Sequence, residues 1–157
     1  LLHRHSSYLA AHASLQRQPG GRPLVVLVEQ HDCSDCDEMH GSAFRTKEML
    51  KLLQQFDVAL IDIWDQGAIT TPSGETIAIN QWASRLGVNY TPSLLFFDTA
   101  GNEIFRSESY VRPFHTTAAF AYVASGAYQQ QPEFQRFIRE FATQWRTTNP
   151  GTDLKVW

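Results

Sequence analysis

The apolar residues of this chain fall into short runs that alternate with amphipathic stretches. Residues 24–30 are almost entirely apolar, and residues 58–64 repeat this pattern, which is typical of strands buried on both faces of a sheet. Residues 93–98 predict a third strand. A tight turn at Gly101 leads into a fourth strand at residues 103–107, so the last two strands should form an antiparallel hairpin.

Helical segments separate these strands. The apolar spacing predicts helices over the ranges 6–18, 36–55, 77–86, 113–124 and 132–147, with a turn-rich stretch at 65–75. Strands that alternate with helices imply parallel pairing, with helices covering both faces of the sheet, and the hairpin makes the sheet mixed. The order predicts a three-layer α/β fold of the thioredoxin-like outline, in which a central mixed sheet of about four strands is flanked by helices.

Composition is consistent with one domain over residues 1–157. A chain of 157 residues can bury a core without disulfide cross-links. Its apolar share of 43% and charged share of 18% are those of a globular protein and not of a disordered one. We expect residues 1–22 to form an N-terminal helical extension and residues 148–157 to form a polar tail.

Charge and hydropathy exclude two classes of interaction. The net charge is −3, and the basic residues are scattered, so no basic stripe could follow a nucleic-acid backbone. The longest apolar run, residues 24–28, has the length of a strand and is too short to span a membrane. We therefore expect a protein that binds no nucleic acid and does not cross a membrane.

The two cysteines carry the strongest chemical signal. Cys33 and Cys36 lie where a predicted buried strand gives way to a helix, and the free amides and dipole of a helix start stabilise a thiolate. Cysteines at this spacing can close a disulfide within one helical turn. The first can attack a partner disulfide and the second can resolve the mixed disulfide. The pattern predicts thiol–disulfide exchange, with Cys33 as nucleophile, Cys36 as resolving thiol and no cofactor.

Two other interpretations of the pair stay open. A purely structural disulfide is the first, although so short a loop would stabilise the fold little. The second is a copper or zinc site, because Cys33, Cys36 and His40 could supply three ligands and His31 a fourth. A metal-binding module is therefore the alternative function.

Acidic residues surround the cysteine pair: Asp32, Asp35, Asp37 and Glu38. Negative neighbours oppose a thiolate, and a less stabilised thiolate makes a dithiol couple less oxidising. This composition favours a reductase over a disulfide donor.

Glu29 is an exception in an otherwise apolar strand. A carboxylate there could assist proton transfer to Cys36. Its position at the end of the strand favours a side chain that faces solvent, and that is the placement we expect.

These residues together resemble bacterial thioredoxin-related proteins, in particular those of the SoxW type. The resemblance rests on Glu29 with Gln30, the segments 33–40 and 90–98, Gly101 and Arg106, and it covers most of residues 23–141. It implies a periplasmic location after removal of a signal peptide, reduction by a membrane thiol-electron donor, and delivery of electrons to disulfides or persulfides of extracytoplasmic partner proteins.

The resemblance also implies a substrate-binding loop at Tyr90, Thr91 and Pro92. In such folds a cis peptide bond precedes the proline, which lies against the cysteine pair and keeps metal out. The residue before the proline offers its backbone to the partner chain in a strand-like pairing. We expect Thr91 and Pro92 to shape this docking groove.

The chain departs from thioredoxins proper in three places. Asp32 stands where they carry tryptophan, Ser34 and Asp35 stand in place of Gly-Pro, and Leu27 replaces their buried aspartate. These changes affect the residues that set the redox potential, the proton route and the partner. They leave the exchange chemistry intact.

Overall fold

The computed structural model describes residues 3, 6, 8, 9, 14–110 and 112–151. The strands are β1 (Leu24–Glu29), β2 (Asp57–Asp62), β3 (Ala68–Thr70), β4 (Thr76–Ala78), β5 (Ser93–Phe97) and β6 (Glu103–Ser107). The helices are α1 (Ser34–Gly41), α2 (Lys47–Leu53), α3 (Ile79–Arg85), α4 (Pro113–Ala124), α5 (Ala127–Gln130) and α6 (Phe134–Thr148), with a 3₁₀ turn at Ala43–Arg45. Among the described helices, none is long and apolar enough to cross a membrane.

Four strands form the central sheet, in the order β2-β1-β5-β6. β1 lies parallel to β2 and antiparallel to β5, and β5 pairs antiparallel with β6. All six residues of β1 are buried, as its apolar sequence requires of a strand covered on both faces. The predicted α/β fold, with a mixed four-stranded sheet flanked by helices, is confirmed.

The two faces of β1 contribute to different cores. Val25 and Leu27 pack with residues of α1, α2 and α4, whereas Leu24, Val26 and Val28 pack with residues of α3 and its surroundings. Successive side chains of a strand alternate between faces, so the residue two beyond Leu27 lies on the face covered by α1 and α4. That residue is Glu29.

Phe120 of α4 lies at the centre of the first core. Its ring makes edge-to-face contacts with Phe44, Phe56 and Phe96 at centroid distances of 5.7, 5.5 and 5.1 Å. α6 packs outside α4 through Ile138, which is fully buried. The sheet, α4 and α6 thus form successive layers on this side.

The predicted helix over residues 6–18 is wrong in its described part. Residues 6, 8, 9 and 14–18 are not helical, and residues 7 and 10–13 lie outside the described residues. The amides of Leu15 and Arg17 donate to the carbonyls of Thr70 and Pro72, at 2.9 and 3.1 Å. This segment follows β3 as extended chain because its backbone bonds go to the small hairpin and not to itself. Of the predicted polar tail, residues 152–157 lie outside the described residues.

Three other parts of the secondary structure differ from the sequence prediction. The stretch at 65–75 contains β3 and leads to β4, and these two strands form a separate two-stranded sheet. The helix predicted over 36–55 divides after Gly41 into α1, the 3₁₀ turn and α2. The short helix α5 was not predicted.

The turn between β5 and β6 touches the small hairpin. Gly101 has φ +90°, and a Cβ on it would lie 2.6 Å from the carbonyl oxygen of Pro72. The Asp98 carboxylate closes the turn by accepting from the amides of Ala100 and Asn102, at 3.0 and 2.9 Å. The two sheets therefore meet in a close backbone contact.

Candidate active site

The cysteine pair lies at the start of α1, directly after the loop that follows β1. Cys33 is the N-cap residue, and its sulfur accepts from the amide of Cys36 at 3.1 Å. Asp32, which precedes it, has φ 56° and turns the chain into the helix. The two cysteines form a disulfide, with their Cα atoms 5.2 Å apart.

The two sulfur-bearing residues differ in exposure. Cys33 keeps 9% of its surface exposed, and Cys36 keeps 1%. An external thiol or disulfide can therefore reach Cys33 more readily than Cys36. This asymmetry is what the roles of attacking and resolving thiol require.

The loop before β5 faces Cys33. The peptide bond between Thr91 and Pro92 is cis, and the Thr91 hydroxyl donates to the Cys33 sulfur at 3.5 Å. Pro92 is buried, whereas Tyr90 is 64% exposed. The structure thus brings Thr91 beside the cysteine pair and leaves Tyr90 at the surface next to it. Their role in substrate binding stays a prediction.

Gln30 and Trp64 belong to the same surface, although neither was singled out as a site residue. The Gln30 amide donates to the Thr91 hydroxyl at 2.7 Å, and its carbonyl oxygen accepts from the Trp64 indole at 2.9 Å. Trp64 is 70% exposed, which is unusual for tryptophan. The sequence signal is a tryptophan at the end of the second predicted strand. We call Gln30, Trp64, Tyr90 and Thr91 the rim of the disulfide.

The four acidic residues around the pair are exposed at the surface. The carboxylate of Asp37 bonds His3 at 2.8 Å. Burial raises the pKa of the Tyr110 phenol, and the negative charges of Glu38 and Asp35 add to that effect. The acidic start of α1 is therefore close enough to Tyr110 to affect its phenol.

Glu29 is fully buried, so the expected solvent-facing placement is wrong. Its Oε2 lies 2.5 Å from His40 Nε2, and His40 itself is only 6% exposed. The alternation along β1 gives the physical reason, because Glu29 follows Val25 and Leu27 on the face beneath α1. Oε1 of Glu29 is buried without a hydrogen-bond partner among the described residues.

Tyr8 and His3 cover this buried pair from the N-terminal segment. The Tyr8 hydroxyl bonds His40 Nδ1, and the His3 ring stacks on the His40 ring at 4.1 Å. The pKa of Tyr8 is raised to about 12, chiefly by burial. A hydrogen bond with Ser6 lowers this pKa, and the negative charge of Glu29 raises it. The phenol therefore keeps its proton at neutral pH.

Donor atoms of His3, Glu29 and His40 lie within 4.8 Å of one another, close enough to consider a metal ion. The two imidazoles are nearly parallel, at 16°, and stacked. An imidazole lone pair lies in the plane of its ring, so stacked rings cannot both direct a nitrogen at one ion. This geometry favours hydrogen bonding over metal ligation.

The alternative ligand set of Cys33, Cys36 and His40 is not assembled in this oxidised form. The two sulfurs are bonded to each other, and both His40 nitrogens are engaged by Glu29 and Tyr8. Thiolates, and not disulfide sulfurs, are metal ligands. The metal alternative therefore concerns the reduced protein alone.

Comparison with known proteins agrees with this fold. The family described as a thioredoxin-like domain matches residues 12–124. A thioredoxin-fold protein from Helicobacter pylori superposes with a TM-score of 0.74 at 14% identity, over 87% of this chain and 94% of that one. A thioredoxin from Thermus thermophilus superposes with a TM-score of 0.54 at 22% identity, over 73% and 83%.

At these identities the structural similarity establishes the fold alone. A comparison with curated protein sequences gave no significant match. The family match covers most of the chain, including both cysteines and the loop that carries Pro92. The chain therefore belongs to the thioredoxin-like domain family.

Proposed function

We propose that this protein is a thiol–disulfide oxidoreductase that reduces disulfides or persulfides of extracytoplasmic partner proteins. One observation carries the proposal: the more exposed Cys33 caps α1 and faces Thr91, while Cys36 lies buried behind it. The fold, the spacing and this asymmetry together supply both steps of an exchange reaction.

The reaction starts from the reduced dithiol. The Cys33 thiolate attacks one sulfur of a partner disulfide, forms a mixed disulfide and releases the other partner sulfur as a thiolate. Cys36 then loses its proton and attacks the Cys33 sulfur, so the bond between Cys33 and the partner breaks and the second partner thiolate leaves. The partner gains two electrons and two protons, and the protein is left in the oxidised form described above. A membrane dithiol donor would return it to the reduced form.

The rim of the disulfide is the docking surface in this proposal. Trp64 and Tyr90 are both exposed. Tyr90 directly precedes Thr91, and Gln30 links Trp64 to Thr91 by hydrogen bonds. An extended segment of a partner could pair with the backbone at Thr91 while its side chains cover the aromatic rings. Exposed aromatic side chains contribute strongly to protein contacts of this kind.

The direction of electron flow follows from charge. The acidic surface around α1 opposes the Cys33 thiolate, which stabilises the disulfide relative to the dithiol. A redox potential of about −270 mV would support a reductase, and one of about −120 mV would reverse the direction.

Disulfide reduction by wild type and two variants tests the function. Wild type reduced with a dithiol should reduce insulin, and Cys33→Ser should be inactive. Cys36→Ser should attack once and stop as a mixed disulfide with the partner, visible by mass spectrometry. Reduction by wild type no faster than by Cys33→Ser would contradict the proposal.

Two further measurements separate the remaining alternatives. Stoichiometric copper or zinc in protein purified under reducing conditions, lost in Cys36→Ser, would support a metal carrier instead. Recovery of the mixed-disulfide partners of Cys36→Ser from the periplasmic fraction would support the location, and recovery from the cytoplasm alone would contradict it.

A further inference from the structure

The resolving step of the proposed function requires a group that takes the proton of Cys36. Cys36 must lose a proton when it attacks the mixed disulfide, yet it is only 1% exposed. Leu27 is apolar and fully buried, and it supplies no acceptor. Bulk water has little access to this sulfur, which favours an internal group as the proton acceptor.

Glu29 lies on the side of α1 that carries Cys36. Cys36 and His40 are four residues apart in α1 and both are buried, so they occupy one face of the helix a single turn apart. Glu29 projects from β1 beneath that face and bonds His40 at 2.5 Å. The carboxylate therefore lies beneath the helical face that also carries the Cys36 sulfur.

The hydrogen bonding of Glu29 is incomplete in the oxidised protein. Oε2 bonds His40, whereas Oε1 is buried and has no donor among the described residues. Buried carboxylate oxygens are nearly always hydrogen-bonded. A disulfide has no proton to donate, but the Cys36 thiol of the reduced protein does. Reduction thus creates a buried donor on the same face of α1 that covers this unpaired acceptor.

A chain of hydrogen bonds leads from Glu29 towards the surface. His40 Nε2 faces Glu29, His40 Nδ1 faces the Tyr8 hydroxyl, and Tyr8 is half-buried. In the His40 tautomer with its proton on Nε2, the phenol donates to Nδ1 and the imidazole donates to the carboxylate.

We propose that Glu29 accepts the proton of Cys36 during resolution of the mixed disulfide, and that His40 and Tyr8 position its carboxylate. This inference rests on the proposed function. The Cys36 proton passes to Glu29, a bond forms between the two cysteine sulfurs, and the bond from Cys33 to the partner breaks with its electron pair leaving on the partner thiolate. When a donor dithiol reduces the protein again, the proton returns to Cys36.

Other titratable groups lie on the segments around Glu29 and His40. His3 stacks on His40 and bonds the carboxylate of Asp37. On β2, Asp62 lies beside Glu29 in the parallel register and 3.8 Å from His31. Glu38, on α1, is exposed.

The test follows the two chemical steps separately in single-turnover experiments. Reduced Glu29→Gln is mixed with a peptide disulfide, and formation and decay of the mixed disulfide are followed between pH 5 and 10. Formation should match wild type, whereas decay at neutral pH should slow about a hundredfold, the usual contribution of general base catalysis. The difference in decay rate between Glu29→Gln and wild type should narrow at high pH because hydroxide can deprotonate Cys36 directly. Glu48→Gln, an exposed glutamate in α2, is the matched control.

Tyr8→Phe is the second variant, and it removes one hydroxyl from a half-buried site. Its decay step should slow several-fold with an altered pH profile, again with formation unchanged. If the mixed disulfide of Glu29→Gln decays as fast as that of wild type at every pH, the relay is overturned and the proposed function stands. If Glu29→Gln does not fold, an unchanged pH profile in Tyr8→Phe overturns it. Wild type that forms no mixed disulfide overturns the proposed function itself, and the relay with it.

Discussion

The side-chain amide of Gln30 donates to the Thr91 hydroxyl over 2.7 Å, so the end of the central strand is joined to the loop that faces Cys33. The same side chain accepts from the Trp64 indole at 2.9 Å. One residue therefore holds both an aromatic ring and the Thr91 loop in place. The loop does not depend on β5 alone for its position.

Gln30→Ala should weaken the docking of a protein substrate more than it slows thiol–disulfide exchange itself. Loss of a hydrogen bond of about 1 kcal/mol corresponds to about a fivefold rise in KM for a protein disulfide. Reduction of a small disulfide dye should change less, because the dye does not need the rim of the disulfide. Gln144→Ala, on the exposed side of α6, is the control. Equal losses with both substrates would contradict this role.

Phe120→Ala should lower the free energy of unfolding by about 3–5 kcal/mol, because it removes a fully buried ring and leaves a cavity. Three other aromatic rings contact Phe120 and cannot all move in to fill the space. Denaturant unfolding measures the change. Leu50→Ala, at a side chain that is 39% exposed, should cost much less. A similar loss at both positions would argue against a core centred on Phe120.

Arg17→Leu should destabilise the fold by about 1–3 kcal/mol, because it leaves partly buried acceptors without their donor. The Arg17 guanidinium bonds the Asp57 carboxylate at 2.8 Å and the carbonyls of Leu15 and Arg22 at 3.0 and 2.9 Å. Its side chain is 7% exposed. Arg85→Gln breaks an exposed ion pair with Glu75 and should leave the midpoint of thermal unfolding unchanged.

In Tyr8→Phe, the free energy of unfolding should fall less steeply as the pH rises above 9. The pKa of Tyr8 is raised to about 12 in the folded protein, from 10.0 ordinarily. Between these two values the folded state holds a proton that the unfolded state has released, so the free energy of unfolding falls as pH rises through this window. Unfolding curves collected from pH 9 to 12 measure the slope. Tyr90→Phe, at an exposed tyrosine, should leave the slope unchanged.

The central sheet was predictable because its signal is local. The continuous apolar run of β1 and the repeated run of β2 specify strands buried on both faces, whatever the rest of the chain does. Cys33 and Cys36 could be assigned to a helix start for the same reason. Both predictions use neighbouring residues only.

The other parts of the fold and of the site depend on contacts between residues that are far apart in the sequence. β3 and β4 are three residues each, too short to show a period, and the hydrogen bonds of residues 14–18 go to that hairpin. Burial of Glu29 requires a partner eleven residues away in α1 and a cover from Tyr8. Alternation along β1 placed Glu29 on the inner face, but only the position of His40 explains how a carboxylate is accommodated there.

The contact between Gly101 and Pro72 limits which residues that turn can accept. Asparagine tolerates a positive φ, so backbone conformation alone would permit it at position 101. A Cβ of any kind would meet the Pro72 carbonyl at 2.6 Å, and that carbonyl also accepts from the amide of Arg17. Every side chain at 101 would therefore push the hairpin outward and disturb the seating of the N-terminal segment that carries Tyr8.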